Sequence, residues 1–338
     1  MDNKRNGAID LLKFLFGLMV VFYHGRVLSA SGGLLFDAGF IAVEFFFLVS
    51  GYLMAAKASV VSAKEKLLAG RETADYILKK VKTLMPHIWF MFITCFVLVC
   101  IITSKPEAFA KTAIYAIWEP LMLWMSGLGT TIINGSSWYI SAMILSMLVL
   151  YPIMIRKFDL FVRVIAPAVA IFVYGWLSQK YGFLNHYSSW VGFTYSGMLR
   201  AIAALSLGCV CWAAAQWLKG FRFKKAGKCL LSVIEISCYF LVVVGANVGG
   251  EKLLSFLMVL LLAVAIPITF SKQSLTGTVF DKKICYWLGN FSLVLYLNHI
   301  TVRKVFQKLA LDLPYFQIIA LFLAASFLWA LFALYFVK

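Results

Sequence analysis

The sequence predicts an all-α, polytopic integral membrane helix bundle. It has ten transmembrane helices, a re-entrant or interfacial segment near 113–126, and both termini in the cytoplasm. Three observations carry this reading. Of 338 residues, 63% are hydrophobic and 13% charged, against about 45–50% and about 25% in soluble domains. The apolar residues fall in long runs rather than at helical or strand spacing, which marks membrane spans. The net charge of +17 is spread so that cations gather between alternate runs, as cytoplasmic loops require. This composition excludes an ordinary soluble enzyme, a disordered protein and a nucleic-acid binder built on a basic surface.

The apolar stretches run at 9–28, 38–56, 84–103, 113–126, 137–155, 160–178, 192–217, 229–248, 253–270, 285–303 and 314–337. The first follows Met1-Asp2-Asn3-Lys4-Arg5, carries Asp10 and Lys13, and lacks a small-residue cleavage site. It is a first transmembrane helix rather than a signal peptide. A helix needs about 20 residues to cross the hydrocarbon. The stretch 113–126 holds Glu119-Pro120, and its length covers only about 21 Å of roughly 30 Å.

Charge decides its fate. If 113–126 does not cross and both termini are cytoplasmic, 21 cations lie inside and eight outside; if it crosses, the counts become 14 and 15. The positive-inside rule selects the first arrangement. The largest loop, 57–82, reads as an amphipathic helix over 74–82 that ends near Pro86, its lysines at inner-leaflet headgroups. No stretch could hold a soluble domain, so residues 1–338 form a single domain with none appended. The seven cysteines lie mostly inside apolar runs without zinc-ligand spacing, and no metal is expected.

Ionisable groups inside spans are costly, and each marks a candidate site. The first helix carries Asp10, Lys13 and His24. At about 100° per residue, Lys13 and His24 differ by about 20°, and Asp10 falls within about 60° of both. Gly17 lies on the same stripe, leaving room for something to pass. Asp10 and Lys13 also suit a plain i,i+3 ion pair, and His24 suits a hydrogen bond to a neighbouring helix. The second span brings Glu44, the seventh Arg200, and the tenth Ser292, Tyr296, Asn298 and His299. With this topology, two imidazoles, a carboxylate and a guanidinium share the outer half of the membrane. His87 and His186 read as structural and solvated.

Four pieces in order resemble acyltransferase family 3 membrane proteins. They are Arg5-Asn6-Gly7-Ala8-Ile9-Asp10-Leu11-Leu12-Lys13 followed by His24, then Val43-Glu44-Phe45-Phe46-Phe47-Leu48-Val49-Ser50-Gly51-Tyr52. Ser137-Trp138-Tyr139-Ile140-Ser141 and Ser292-Leu293-Val294-Leu295-Tyr296-Leu297-Asn298-His299 complete the set. The resemblance implies acyl transfer, in most members acetyl transfer, from acyl-CoA to a hydroxyl of a cell-envelope glycan or lipid-linked sugar in the bacterial cytoplasmic membrane. Acyl-CoA would be a substrate, with no bound cofactor and no nucleic-acid partner.

Carried over position by position, His24 takes the catalytic imidazole, as general base or acyl acceptor, supported by Asp10, Glu44 and His299. Lys13, Lys79, Lys80 and Lys82 would hold the donor phosphates. Arg200, Ser137, Trp138 and Tyr296 would support the acceptor. Two departures stand out. Thr83 replaces the second member of a basic pair that begins at Lys80, and Met143 stands where many members carry glutamate. A transporter or lipid-linked-sugar flippase, using the same buried charges as a substrate or proton path, is the rival reading.

Overall fold

The computed structural model describes residues 5–29, 35–103, 106–129, 131–249 and 253–337. Lys4, Lys105, Lys252 and Lys338, four of the cations in the charge count, lie outside them.

The chain runs through α1 (Gly7–Gly25), α2 (Ala42–Val61), α3 (Ala69–Thr103), α4 (Pro106–Ala116) and α5 (Trp138–Arg156). A one-turn α6 (Phe158–Leu160) passes through a π-helical turn, Phe161–Ile165, into α7 (Ala166–Tyr181). Then follow α8 (Ser196–Lys219), α9 (Lys225–Val248), α10 (Leu253–Ser271), α11 (Lys283–Leu309) and α12 (Tyr315–Phe336). Trp190–Val191 and Thr194–Tyr195 form a minimal antiparallel pair. Large apolar side chains such as Ile101, Phe172 and Leu328 point outward, as lipid contact requires.

Among the described residues, nine helices are long and apolar enough to cross a membrane. The tenth expected stretch, 285–303, lies inside α11. That helix has 27 residues, about 40 Å by helical rise, but its ends carry Lys283, Arg303, Lys304 and Lys308. The stretch 113–126 is not a continuous helix: α4 stops at Ala116, turns follow, and a 3-10 turn covers Trp124–Ser126. Glu119 organises this break. Its buried carboxylate accepts the N–H groups of Ile133 (2.6 Å) and Asn134 (2.9 Å) and the Ser137 hydroxyl (2.6 Å).

One expectation is corrected. The loop helix over 74–82 and the third span are a single helix of 35 residues with Pro86 inside it. Proline removes one backbone donor, a loss that long membrane helices tolerate when neighbouring groups compensate.

Two helix pairings set the interior. The first is α2 against α8, where Gly51 meets Leu205 and Gly208 meets Leu48. A Cβ on Gly51 would lie 2.1 Å from the Leu205 carbonyl oxygen, and one on Gly208 would lie 2.3 Å from that of Leu48. Backbones come this close only across small residues, the membrane mode of helix packing. The second is α1 against α11. Asp10 lies against Gly289, Gly17 against Ser292 and His24 against His299, so the two helices run in the same direction.

Candidate active site

Asp10, Gly17 and His24 of α1 meet α11 one after another along its length. At the N-terminal end, Asp10 is 2% exposed and accepts from Arg5 Nε at 2.5 Å and Lys13 Nζ at 3.1 Å. Arg5 also donates to the Tyr286 carbonyl (2.8 Å) and to Asn290 Oδ1 (2.6 Å) of α11. Gly289 lets the carboxylate in, because a Cβ there would lie 2.6 Å from it. Asn6 caps α1 through the Ile9 N–H and ties it to α10 through the Thr269 carbonyl. The opening motif is therefore a clamp of α1 onto its neighbours. Lys13 remains partly exposed, and Lys80 of α3 lies within its electrostatic reach.

At the other end, His24 Nδ1 lies 2.9 Å from His299 Nε2, and His299 Nδ1 lies 3.3 Å from the Leu295 carbonyl oxygen. A carbonyl only accepts, so the contact is a hydrogen bond in the tautomer that carries the His299 proton on Nδ1. Its Nε2 then accepts from His24 Nδ1–H, which leaves a lone pair on His24 Nε2. The two imidazoles form a hydrogen-bonded pair beside the cavity that His24 lines.

His24 lines a cavity of about 200 Å³ together with Tyr23, Arg26, Trp138, Arg200 and Arg303. Arg200 is positioned from below. Its Nε donates to Glu44 Oε1 at 2.9 Å, while Tyr174 donates to Oε2 at 2.6 Å. Its guanidinium stacks over the Trp138 ring, 5.2 Å from the centroid, and Trp138 stacks on Tyr187. Tyr296 donates to the Ser136 carbonyl (2.9 Å), and Asn134 Nδ2 donates to the Leu297 carbonyl (3.0 Å). The Ser-Trp segment is thus bolted to α11 one turn from His299.

The residues expected from sequence divide into two groups. His24, Arg200, Trp138 and Tyr296 line one cavity, and His299 backs His24 without lining it. Asp10 does not join them: it stands fourteen residues before His24, about 21 Å along the helix, and it is consumed by Arg5 and Lys13. Glu44 reaches the cavity only through Arg200. Ser137 serves Glu119. Gly17 opens no passage, because the Ser292 Cβ lies 3.7 Å from the place its own Cβ would take.

The lysines also separate. Lys80 lies over the Tyr76 ring, 5.3 Å from its centroid, whereas exposed Lys79 and Lys82 border a surface hollow with Asp75 and Thr83. Steps of about 100° and 200° around a helix cannot aim all three at one ligand. Three contributors escape sequence reasoning: Glu119, Asn134 and Arg303. For Arg303 a signal existed, since it follows His299 by four residues and shares its face.

A multi-pass helical membrane protein with a buried, cationic pocket around paired imidazoles is the class these features define. The acyltransferase domain family model matches residues 6–336, essentially the whole chain, and the protein belongs to acyltransferase family 3. Comparison with curated proteins and with solved structures gives no match.

Proposed function

We propose that the protein transfers an acyl group, acetyl in the simplest case, from acyl-CoA to a hydroxyl of an envelope glycan or lipid-linked sugar. The observation that carries the reading is the His24–His299 pair, 2.9 Å apart beside a cavity that His24 lines, an arrangement that suits His24 Nε2 as a base. His24 Nε2 takes the acceptor's hydroxyl proton as the oxygen attacks the thioester carbonyl. The C–O bond forms, the C–S bond breaks, and the proton passes from His24 to the departing CoA thiolate. His299 holds the ring in register and shares the developing positive charge.

The donor's phosphates are assigned to Lys13 and Lys80 at the opposite end of α1. Lys13 and His24 are eleven residues apart, so the reacting thioester has to reach about 16 Å along the helix. With Gly17 closed against Ser292, its route lies beside the α1–α11 seam rather than through it.

Ten crossings with both termini cytoplasmic complete the proposal. The parallel pairing of α1 and α11 supports it. Seven long helical segments lie between them, α2, α3, α5, α6–α7, α8, α9 and α10, and an odd number restores the original direction. A crossing at 113–126 would make α1 and α11 antiparallel. In the bacterial cytoplasmic membrane this topology puts His24 in the outer half and Lys13 nearer the cytoplasm.

Purified protein in detergent, with radiolabelled acetyl-CoA and a glycan acceptor, tests the reading. Label should move to the acceptor with release of free CoA. A wild-type protein that neither binds nor consumes acyl-CoA would sink the enzyme reading and leave the transport one. Label trapped on His24 without acceptor would convert direct transfer into an acyl-histidine route.

A further inference from the structure

We infer that the His24 cavity takes an anionic acceptor, one whose molecule carries a carboxylate or phosphate beside the hydroxyl to be acylated, and that Arg303 is the residue that holds it. The identification of this ligand as the acceptor rests on the acyltransfer reading; the anion site itself rests on charge accounting within the cavity.

Three guanidinium groups line the cavity with His24: Arg26, Arg200 and Arg303. Two have their own carboxylates. Arg26 pairs with Asp37, and Arg200 pairs with Glu44. Arg303 has no ion-pair partner among the described residues, and its buried Nε has no hydrogen-bond partner. Arg200 adds a second open donor, because its Nη2 lies 2.8 Å from Glu44 Oε1 but at an angle that makes no hydrogen bond.

An unpaired cation withdrawn from water inside a membrane protein is costly unless a counter-charge arrives. Arg303 sits one helical turn beyond His299, on the imidazole's own face of α11. An oxyanion bound by Arg303 therefore lies next to the open nitrogen of His24. A planar guanidinium with free N–H groups favours the paired oxygens of a carboxylate or phosphate over a neutral hydroxyl. The cavity's 200 Å³ is below the roughly 300 Å³ at which drug-sized sites begin, so a single ring-sized unit enters. The charge and the reacting hydroxyl then belong to the same or the adjoining sugar.

Direct binding to purified protein in detergent, without acyl-CoA, tests the inference with glucose, glucuronic acid and glucose 6-phosphate as probes. Both anionic probes should bind at least about tenfold more tightly than glucose. The preference should shrink as salt rises from 50 mM to 500 mM. Comparing the two anionic arms separates a carboxylate acceptor from a phosphate one. Arg303→Gln should erase the preference, Arg303→Lys should keep part of it, and His24→Ala should keep it while losing transfer.

Equal binding of all three sugars by wild type overturns the inference. So does an Arg303→Gln protein that loses turnover while retaining the anion preference, since the guanidinium would then serve only the transition state. If the anion preference is present and no acyl-CoA is consumed, the acyltransfer reading fails and the anion site stands.

Discussion

His24 and His299 are unequal members of one hydrogen-bonded pair: His299 faces the Leu295 carbonyl behind it, and His24 lines the cavity in front. Replacing His24 with Gln should lower acyl transfer by about 10²–10⁴, the contribution of a positioned base. His299→Gln should cost less, because its amide oxygen can still accept from His24 Nδ1–H. His299→Leu leaves that donor without a partner and should approach the His24 variant. CoA release at saturating donor gives the comparison, and a fully active His299→Leu protein would end the argument for the pair.

Glu44 and Arg200 are almost wholly enclosed, at 0% and 1% exposure. Removing one member strands the other charge, so Glu44→Ala should destabilise the protein by about 3–5 kcal/mol. Glu44→Gln keeps an acceptor for Arg200 Nε and should cost less. Thermal unfolding in detergent distinguishes the two, and equal melting temperatures would refute the ordering.

Gly51 and Gly208 admit no side chain without moving the backbone of the opposing helix. Gly208→Ala should therefore cost on the order of 1–3 kcal/mol as overpacking, with transfer activity falling as α8 carries Arg200 away from the cavity. Gly175, which has open space around its Cβ position, serves as control: Gly175→Ala should be neutral or slightly stabilising.

Asp281, between α10 and α11, gives a pH dependence. Partial burial pushes its carboxyl up, but the Lys272 ammonium and the Gly7 N–H, with Tyr286, pull harder and hold it below the ordinary carboxylate range. The contacts are 2.5 Å to Lys272 and 2.9 Å to Gly7. A depressed acid contributes stability that is present above its unfolded value, about 3.9, and is lost as pH falls through the folded one. Wild type should lose melting temperature over that acid window, and Asp281→Asn should be lower at neutral pH with a shallower acid slope. Parallel pH curves for the two proteins would contradict this role.

Much of the bundle was legible because helical periodicity and span length are local properties. Asp10, Lys13, Gly17 and His24 fall on one stripe by arithmetic, and three of them, Asp10, Gly17 and His24, do meet a single partner helix. The shortness of 113–126 likewise announced a broken segment. Pro86 misled, because a proline that stops a soluble helix can sit inside a membrane one. The meeting of His24 with His299 was out of reach, since periodicity says which way a side chain faces and nothing about what stands there. Arg303 carries two meanings in the sequence, a cation at the end of the stretch 285–303 and the i+4 neighbour of His299, and the first masks the second.

The two imidazoles are separated by 275 positions in the chain. During synthesis the first is threaded into the bilayer long before the second exists, so every shorter nascent chain carries half the pair. On the proposed reading, the pair is complete only when α11 docks beside α1, a late, non-local event. A chain cut short before that helix would lack the pair altogether, so on the same reading truncation and loss of function coincide.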